Sequence, residues 1–178
     1  KNPISDLKKK KVDILVNLSA SPFTFNKLEL RSKVSSFAAK YLQVPLIYVN
    51  QIGANDNLIF DGNSFILDKN GSKIKQLKSF SEDLSSWEIE QTKPQENKFE
   101  KSEMSSIFDA LVLGVRDYAR KCGFRTALIG LSGGIDSALV TAIATAALGN
   151  NNIYCVSMPS KWSSSHSKSD AKDLARRL

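Results

Sequence analysis

The sequence predicts an α/β protein made of two successive segments. Short apolar runs of strand type alternate with longer runs of helical periodicity. A stretch rich in Ser, Glu, Gln, Lys and Pro, residues 80–101, separates the two segments and is typical of an exposed linker. After it, a strand, a glycine loop, a helix and a second strand follow within about thirty residues, the order of a βαβ unit. We therefore expect a doubly wound parallel sheet in the second segment.

The composition and charge of the chain exclude several classes of function and partner. The 178 residues are 42% hydrophobic, so the chain can bury a core. The net charge of +7 is spread along the chain, with its densest run at residues 8–11, which suits a small polyanionic ligand better than a nucleic acid. No apolar run has membrane-spanning length and no secretory signal follows the basic start. We expect no nucleic-acid partner, no membrane and a cytoplasmic location.

The first segment predicts an α/β unit. Residues 12–18 and 45–50 have strand character, and residues 65–67 and 74–77 flank an Asn-Gly turn typical of a hairpin. Between the first two strands, helical spacing predicts an amphipathic helix over 26–42. Its predicted apolar face consists of Leu30, Val34, Phe37, Ala38, Tyr41 and Leu42.

The second segment begins with a predicted helix over 103–122, whose apolar face carries Ile107, Leu111, Val115 and Tyr118. Gly123 is its predicted C-cap. A buried strand over 125–129, a buried helix over 137–148 and a strand over 153–158 follow. The predicted domains are thus 1–80 and 103–178, with a linker over 81–102. The two cysteines, Cys122 and Cys155, lack a CxxC spacing and are predicted to be buried free thiols.

The glycine loop between the strand and the helix predicts an anion site. Two adjacent glycines let the backbone approach a ligand, and the following helix directs its free N–H groups to the same place. Ser132 and Ser137 add hydroxyl donors, while Asp136 fits a Mg²⁺ ion bridging a carboxylate and phosphates. The predicted binding residues of this nucleotide-phosphate site are Gly130, Leu131, Ser132, Gly133, Gly134, Ile135, Asp136 and Ser137, with Asp136 as metal ligand.

The glycine loop has three competing interpretations. A Walker loop is excluded, because no Gly-Lys-Ser/Thr sequence occurs. Residues 130–134 also satisfy Gly-x-Ser-x-Gly, which would make Ser132 the nucleophile of a serine hydrolase, but the only histidine is His166, in a serine-rich stretch. An ordinary N-cap at Asp136 accounts for the carboxylate but not for the paired glycines and both serines. The hydrolase therefore stays an alternative.

The tail after the last strand is dense in hydroxyl and basic side chains. Such a loop can order over phosphates, with Lys161 or Lys168 screening their charge. The alternative is a flexible loop followed by a capping box at 167–170, which would open a helix running to Leu178.

The residues resemble known families. The run from Ser132 to Ser137, Ser-Gly-Gly-Ile-Asp-Ser, resembles the loop of the ATP pyrophosphatases, which adenylate a substrate and release pyrophosphate. Residues 17–23, 49–56 and 60–65, together with 158–160, 164–167 and 170–171, resemble the glutamine-dependent NAD synthetase family along nearly the whole chain. The resemblance implies a partial nitrilase-like α/β sandwich followed by a doubly wound parallel sheet of the ATP-pyrophosphatase, adenine nucleotide alpha hydrolase-like type.

The resemblance also implies a ligase reaction. ATP, with Mg²⁺, would adenylate deamido-NAD, and ammonia from L-glutamine would displace AMP to give NAD. By the same family pattern Ser21 and Lys27 match glutamine-binding positions, where a hydroxyl and an ammonium can pair with an α-carboxylate. A turn serine and a solvated lysine are the alternatives at these two positions. A homo-oligomer is expected from the family. Among its relatives, GMP synthetase is an alternative that the nitrilase-like first segment disfavours.

One departure from the family pattern concerns catalysis. The nitrilase-like site uses a cysteine, a glutamate and a lysine that precede the segment matched here, and neither cysteine of this chain has the family's Ile-Cys-Glu-Asp context. No catalytic residue is assigned. The start at Lys1 and the stop at Leu178 look like breaks inside domains, so we expect a piece of a longer polypeptide that cannot hydrolyse glutamine by itself.

Overall fold

The computed structural model of the chain describes residues 3–89, 102–162 and 164–178. These residues group into two units: unit 1 takes those within 1–53 and 57–105, and unit 2 takes 54–56 and those within 106–178. Residues 90–101 of the predicted linker lie outside the described residues. The predicted boundaries of the linker therefore stay predictions.

Unit 1 is organised around a four-stranded mixed sheet with the order β1-β2-β5-β6. The elements in chain order are α1 (Pro3–Lys9), β1 (Leu15–Ser19), α2 (Lys27–Leu42), β2 (Leu46–Asn50), β3 (Ile52–Asn55), β4 (Leu58–Asp61), β5 (Phe65–Leu67) and β6 (Lys73–Gln76). β1 and β2 are parallel, with Leu15 opposite Leu46, whereas β5 runs antiparallel to both of its neighbours. The predicted β5–β6 hairpin is confirmed. Helix α1 and the β3–β4 pair were not predicted.

The core of unit 1 lies between α2 and one face of the sheet. It consists of Ala38, Ala39, Leu46, Tyr48, Phe65 and Leu67. Tyr48 and Phe65, which face each other across β2 and β5, stack with ring centroids 4.9 Å apart. The small side chains of Ala38 and Ala39 allow α2 to approach the sheet closely. The buried pair Tyr48 and Phe65 removes a large apolar area from water and therefore supplies much of the packing energy.

The position of helix α2 was predicted to within one residue, but of its predicted apolar face only Ala38 is buried. Leu30, Val34 and Phe37 are 56%, 61% and 65% exposed, and the buried residues of the helix are Arg31, Ser35, Ala38 and Ala39. The reason is that Arg31 finds a buried carboxylate partner, which periodicity of apolar residues cannot reveal. Small side chains, rather than large ones, face the sheet.

Unit 2 contains the predicted βαβ arrangement. Its elements are α3 (Glu103–Cys122), β7 (Ala127–Gly130), α4 (Ile135–Leu148), the 3₁₀ turn Asn150–Asn152, β8 (Ile153–Val156) and α5 (Ser165–Arg177). β7 and β8 are parallel, with Ala127 opposite Ile153 and Gly130 opposite Val156. Gly123 has φ +75° and closes α3, as predicted, with the Phe124 N–H donating to Ala119 O at 2.8 Å.

Burial in unit 2 differs from the prediction. The buried residues of α3 are Ala110, Leu113, Asp117 and Ala119, whereas Tyr118, on the predicted apolar face, is 63% exposed. Asp117 is buried because its carboxylate accepts a hydrogen bond from the N–H of Ala54, another residue of unit 2, at 2.9 Å. β7 and α4 were predicted to be buried, but Leu128 is 73% exposed, because the described residues place only two strands in this sheet.

Helix α5 begins at Ser165, and its N-cap lies three residues before the predicted capping box. Ser164 is its N-cap and accepts a hydrogen bond from the N–H of Ser167 at 3.1 Å. A hydroxyl closer to the end of β8 thus performs the role that the sequence pattern gave to Ser167. Within the described residues, none of the helices has the length and apolar character needed to cross a membrane.

Candidate functional site

The glycine loop joins the end of β7 to the start of α4. The Leu131 N–H donates to Val156 O at 2.9 Å, which continues the pairing of the two strands into the loop. Gly133 then turns the chain with φ +87°, a conformation that side chains rarely adopt, and Gly134 is the N-cap of α4. The free N–H groups of the first turn of α4 therefore point out of the loop, as an anion site requires.

The two loop serines are bonded to each other. Their hydroxyl oxygens lie 3.0 Å apart, and Ser137 Oγ donates to Gly134 O while accepting from the N–H of Ser132. Ser132 Oγ also accepts from the N–H of Gly134. The hydroxyls that the sequence suggested as ligand donors thus also fix the shape of the loop. This local network explains why both serines occur with the paired glycines.

The serine-rich tail lies against the glycine loop. A Cβ at Gly133 would lie 2.2 Å from Ser167 O, so only a glycine leaves room for the first turn of α5. The structure therefore brings together two stretches that the sequence analysis linked only by their chemistry. Lys161 and Lys168 are both exposed, and the Lys161 ammonium lies 5.1 Å from the Trp162 ring centroid. Ser163 lies outside the described residues.

Asp136 lies in the first turn of α4, and its side chain is exposed. Among the described residues no hydrogen bond or ion pair occupies its carboxylate. The described residues contain no cluster of three or more His, Cys, Asp or Glu that could hold a metal by itself. A single free carboxylate beside the predicted phosphate-binding loop fits Mg²⁺, which usually takes one or two protein carboxylates and completes its shell with phosphates and water.

The second candidate site is in unit 1, around Ser21 and the start of α2. Ser21 is half-buried in the segment after β1, and its N–H donates to Asn50 Oδ1 at 2.9 Å. Arg31 Nε donates to Ser21 Oγ at 3.0 Å, and Arg31 Nη2 donates to Ser21 O at 2.7 Å. The serine is therefore held by both its backbone and its side chain.

Lys27 is the first residue of α2 and lies one helical turn before Arg31, on the same face. The nearby Glu29 does not neutralise it, because Glu29 pairs with Lys33. The hydrogen bond and the charge of Lys33 lower the pKa of the Glu29 carboxyl. In the part of the chain that the structure describes, the Lys27 ammonium makes no hydrogen bond or ion pair, so it is available to an anionic ligand.

A buried ion pair supports this second site. Arg31 Nη1 donates to both oxygens of Asp61, at 2.8 and 3.0 Å, and the two side chains are only 4% and 2% exposed. Asn63 Nδ2 donates to the same carboxylate at 2.7 Å. Sequence reasoning missed the pair. Its available signals were an arginine at helical spacing from the small residue Ser35 and the polar run Asp61-Gly62-Asn63 at the end of β4.

Comparison with known proteins identifies the family. Residues 2–97 match the model of the carbon–nitrogen hydrolase family. The chain belongs to that family. Residues 107–178 match the model of NAD synthase, and this match includes the glycine loop, α4 and α5. The NAD synthase match favours the predicted resemblance over the GMP synthetase alternative.

The chain is similar to glutamine-dependent NAD(+) synthetases along nearly its whole length. It is 48% identical over 182 residues to the enzyme of Synechocystis sp., with 99% of this chain and 33% of that relative covered. It is 40% identical to the enzyme of Rhodobacter capsulatus, with 93% of this chain and 31% of that relative covered. The predicted family resemblance is confirmed. The chain spans about a third of the length of these curated relatives.

Solved structures agree with the predicted fold class. A glutamine-dependent NAD+ synthetase from Acinetobacter baumannii, in complex with adenosine diphosphate, superimposes with a TM-score of 0.91 at 38% identity, covering 98% of this chain and 34% of that one. A glutamine-dependent NAD(+) synthetase from Cytophaga hutchinsonii has the same fold, with a TM-score of 0.79 at 19% identity, covering 96% and 35%. A nitrilase-like unit followed by an NAD-synthase unit is thus confirmed.

Both cysteines of the chain lie outside the segment that matches carbon–nitrogen hydrolases. Cys122 is exposed and Cys155 is half-buried, so the prediction that both are buried is wrong, although both are free. Cys122 is the last residue of α3, and Cys155 belongs to a two-stranded sheet with little cover. Both lie outside residues 2–97, which match the carbon–nitrogen hydrolase model. The nitrilase-like part of the chain therefore contains no cysteine.

The serine-hydrolase alternative also fails on geometry. A nucleophile elbow places its serine on a strained turn, but here the positive φ belongs to Gly133 and not to Ser132. Among the described residues the Ser132 hydroxyl bonds to Ser137, and the His166 imidazole makes no hydrogen bond to it. A serine without a base is a weak nucleophile. The loop is therefore better suited to holding an anion than to forming an acyl-enzyme.

Proposed function

We propose that the whole protein converts deamido-NAD to NAD by ATP-dependent amidation, with glutamine as the ammonia donor and an adenylated intermediate. The observation that carries the proposal is the position of the glycine loop. It lies within the residues that match NAD synthase, between two parallel strands and at the start of α4. The first segment, which matches carbon–nitrogen hydrolases, supports the use of an amide as nitrogen source.

In this proposal residues 130–137 bind the phosphates of ATP. The N–H groups at the start of α4 offer positive partial charge where negative charge develops on the leaving pyrophosphate. The Ser132–Ser137 pair keeps the loop open at Gly133 and Gly134, so the backbone can approach the ligand. Mg²⁺, held by Asp136, would offset charge on the phosphates. Lys161 and Lys168 are further candidates for screening that charge.

In unit 1 we propose that Ser21 and Lys27 bind the glutamine. The hydroxyl of Ser21 and the free ammonium of Lys27 suit the α-carboxylate of an amino acid, which accepts hydrogen bonds and carries negative charge. We assign no glutaminase nucleophile in this chain. We also propose a cytoplasmic homo-oligomer in which 1–80 and 103–178 belong to separate domains joined by 81–102.

The loop assignment is tested by calorimetric titration of the whole protein with ATP, with and without Mg²⁺. We expect Asp136→Asn to weaken binding of ATP in the presence of Mg²⁺ by about tenfold or more, because a charge-assisted interaction is worth about 1.5–3 kcal/mol. Binding without Mg²⁺ should be unchanged or slightly stronger, because the carboxylate then repels the phosphates.

The matched control is Asp173→Asn, which removes an exposed helical carboxylate paired with Arg177. This variant should bind ATP like the unaltered protein under both conditions. If the unaltered protein binds no ATP, the glycine loop is not a nucleotide site and the proposed reaction is wrong. Equal loss of affinity in both variants would show that Asp136 acts only through general electrostatics.

A further inference from the structure

The guanidinium of Arg31 uses all five of its N–H donors inside unit 1. Nη1 donates twice to Asp61, and Nε donates to Ser21 Oγ. Nη2 donates to the carbonyl oxygens of Ser21, at 2.7 Å, and Pro22, at 2.9 Å. An arginine has five donors and no acceptor, so its hydrogen-bonding capacity is complete. Arg31 itself therefore has no donor left for a substrate.

Three of these five bonds go to the Ser21–Pro22 segment, which carries the proposed glutamine-binding hydroxyl. Asn50 adds two more, because its Oδ1 accepts from the Ser21 N–H and its Nδ2 donates to Ser21 O at 3.1 Å. The segment is thus fixed from both sides by buried side chains. Holding a binding group this way lowers the entropy lost when a ligand binds.

The bond from Arg31 Nε also determines the chemical role of the Ser21 hydroxyl. A hydroxyl has one donor proton and two acceptor lone pairs, and here a positively charged donor occupies the acceptor side. Among the described residues no acceptor takes the Ser21 proton. The proton therefore points away from Arg31, and the adjacent charge makes the hydroxyl a stronger donor. A ligand at this position must offer an acceptor.

We propose that Arg31 is a positioning residue that holds Ser21 as an obligate hydrogen-bond donor to the α-carboxylate of glutamine. The inference rests on the proposed function and deepens it, because it names the residue that positions Ser21 toward the substrate carboxylate. The free ammonium of Lys27, one turn before Arg31 on the same face of α2, supplies the matching charge. The site therefore prefers primary amides that carry an α-carboxylate over those that lack one.

Asp61 explains how a buried cation can fulfil this role. Its carboxylate neutralises Arg31 at Nη1 and accepts hydrogen bonds from the amides of Asn63, at 2.7 Å, and Asn50, at 3.5 Å. A buried arginine without a counter-ion would be strongly destabilising. Asp61 therefore stabilises the fold without a hydrogen bond to Ser21. Nη1 of Arg31 pairs with Asp61, whereas Nε and Nη2 hold Ser21.

The test compares two substrates in the whole protein: glutamine and 4-aminobutanamide, the same amide without the α-carboxylate. Ammonia release is measured for each and expressed relative to NAD synthesis supported by added ammonia, which corrects for the amount of folded protein. We expect Ser21→Ala and Arg31→Lys to raise the KM for glutamine about tenfold to a hundredfold with little change in kcat. The kcat/KM for 4-aminobutanamide should change less than twofold.

Two further variants separate positioning from stability. Asp61→Asn removes the negative charge that pairs with Nη1 of Arg31, so it should lower the melting temperature. The ratio of kcat/KM for glutamine to kcat/KM for 4-aminobutanamide should not change. If Arg31→Lys does not fold, the double variant Arg31→Met/Asp61→Leu replaces the buried pair by apolar side chains of similar size, an exchange that proteins often tolerate. We expect this double variant to show the same selective loss for glutamine.

The outcomes distinguish the inference from the proposed function. If Ser21→Ala leaves the KM for glutamine unchanged, the glutamine assignment of Ser21 is wrong, and the inference falls with it. If Ser21→Ala is selective but the Arg31 variants impair both substrates equally, the glutamine assignment stands and the positioning role is wrong. A selective loss in Asp61→Asn as large as that in Arg31→Lys also overturns the positioning role.

Discussion

Gly133→Ala is expected to abolish measurable ATP binding in the whole protein. Alanine at φ +87° costs about 1–2 kcal/mol, and its Cβ would lie 2.2 Å from Ser167 O, a backbone atom that cannot rotate away. Either the glycine loop or the first turn of α5 must move. Because the N–H groups of the loop are the proposed phosphate ligands, we expect a loss of affinity of at least a hundredfold by calorimetry.

The control for this substitution is Gly123→Ala. Gly123 has a similar backbone conformation, φ +75°, but nothing lies within 4 Å of the Cβ position. It should cost about 1 kcal/mol of stability through backbone strain alone and leave ATP binding intact. If the two variants bind ATP equally well, the contact between the loop and α5 has no part in nucleotide binding.

The elements of the chain could be predicted because they depend on local pattern. The bounds of α3 agree with the sequence prediction, since a polar stretch precedes the helix and a C-cap glycine follows it. The start of β8 also agrees, whereas its end lies at Val156 and not next to Pro159. The β3–β4 pair was missed because Gly53 and Asp56, both at positive φ, interrupt the alternation that identifies a strand. Short helix α1 was missed because it buries no residue.

Helix faces and the buried ion pair of the second site could not be predicted in the same way. The large apolar residues of α2 follow helical spacing, yet the sheet is covered by Ala38 and Ala39. Periodicity shows that a helix is amphipathic but not which polar residue will find a buried partner. Arg31 and Asp61 are 30 positions apart, and only the tertiary fold brings them to 2.8 Å. The glycine loop, by contrast, is a continuous run of the chain, so its chemistry could be read from the sequence.

Asp61→Ala is expected to destabilise unit 1 by about 3–5 kcal/mol, because it leaves the buried Arg31 without its counter-ion. Asn63 also loses the carboxylate that accepts its amide proton at 2.7 Å. Such a loss is a large fraction of the stability of a typical domain. It is measured in the whole protein by urea denaturation, as the midpoint shift of the transition that includes unit 1.

Asp173→Ala provides the comparison for this second prediction. Its carboxylate also lies 2.8 Å from an arginine, Arg177, but the two side chains are 58% and 74% exposed. Water solvates and screens that pair, so its loss should cost less than about 1 kcal/mol. The two ion pairs have the same nitrogen–oxygen distance. The difference in their expected stability losses therefore comes from burial. A similar midpoint shift for Asp61→Ala and Asp173→Ala would mean that Arg31 is not a buried cation, and the positioning role inferred for it would lose its physical basis.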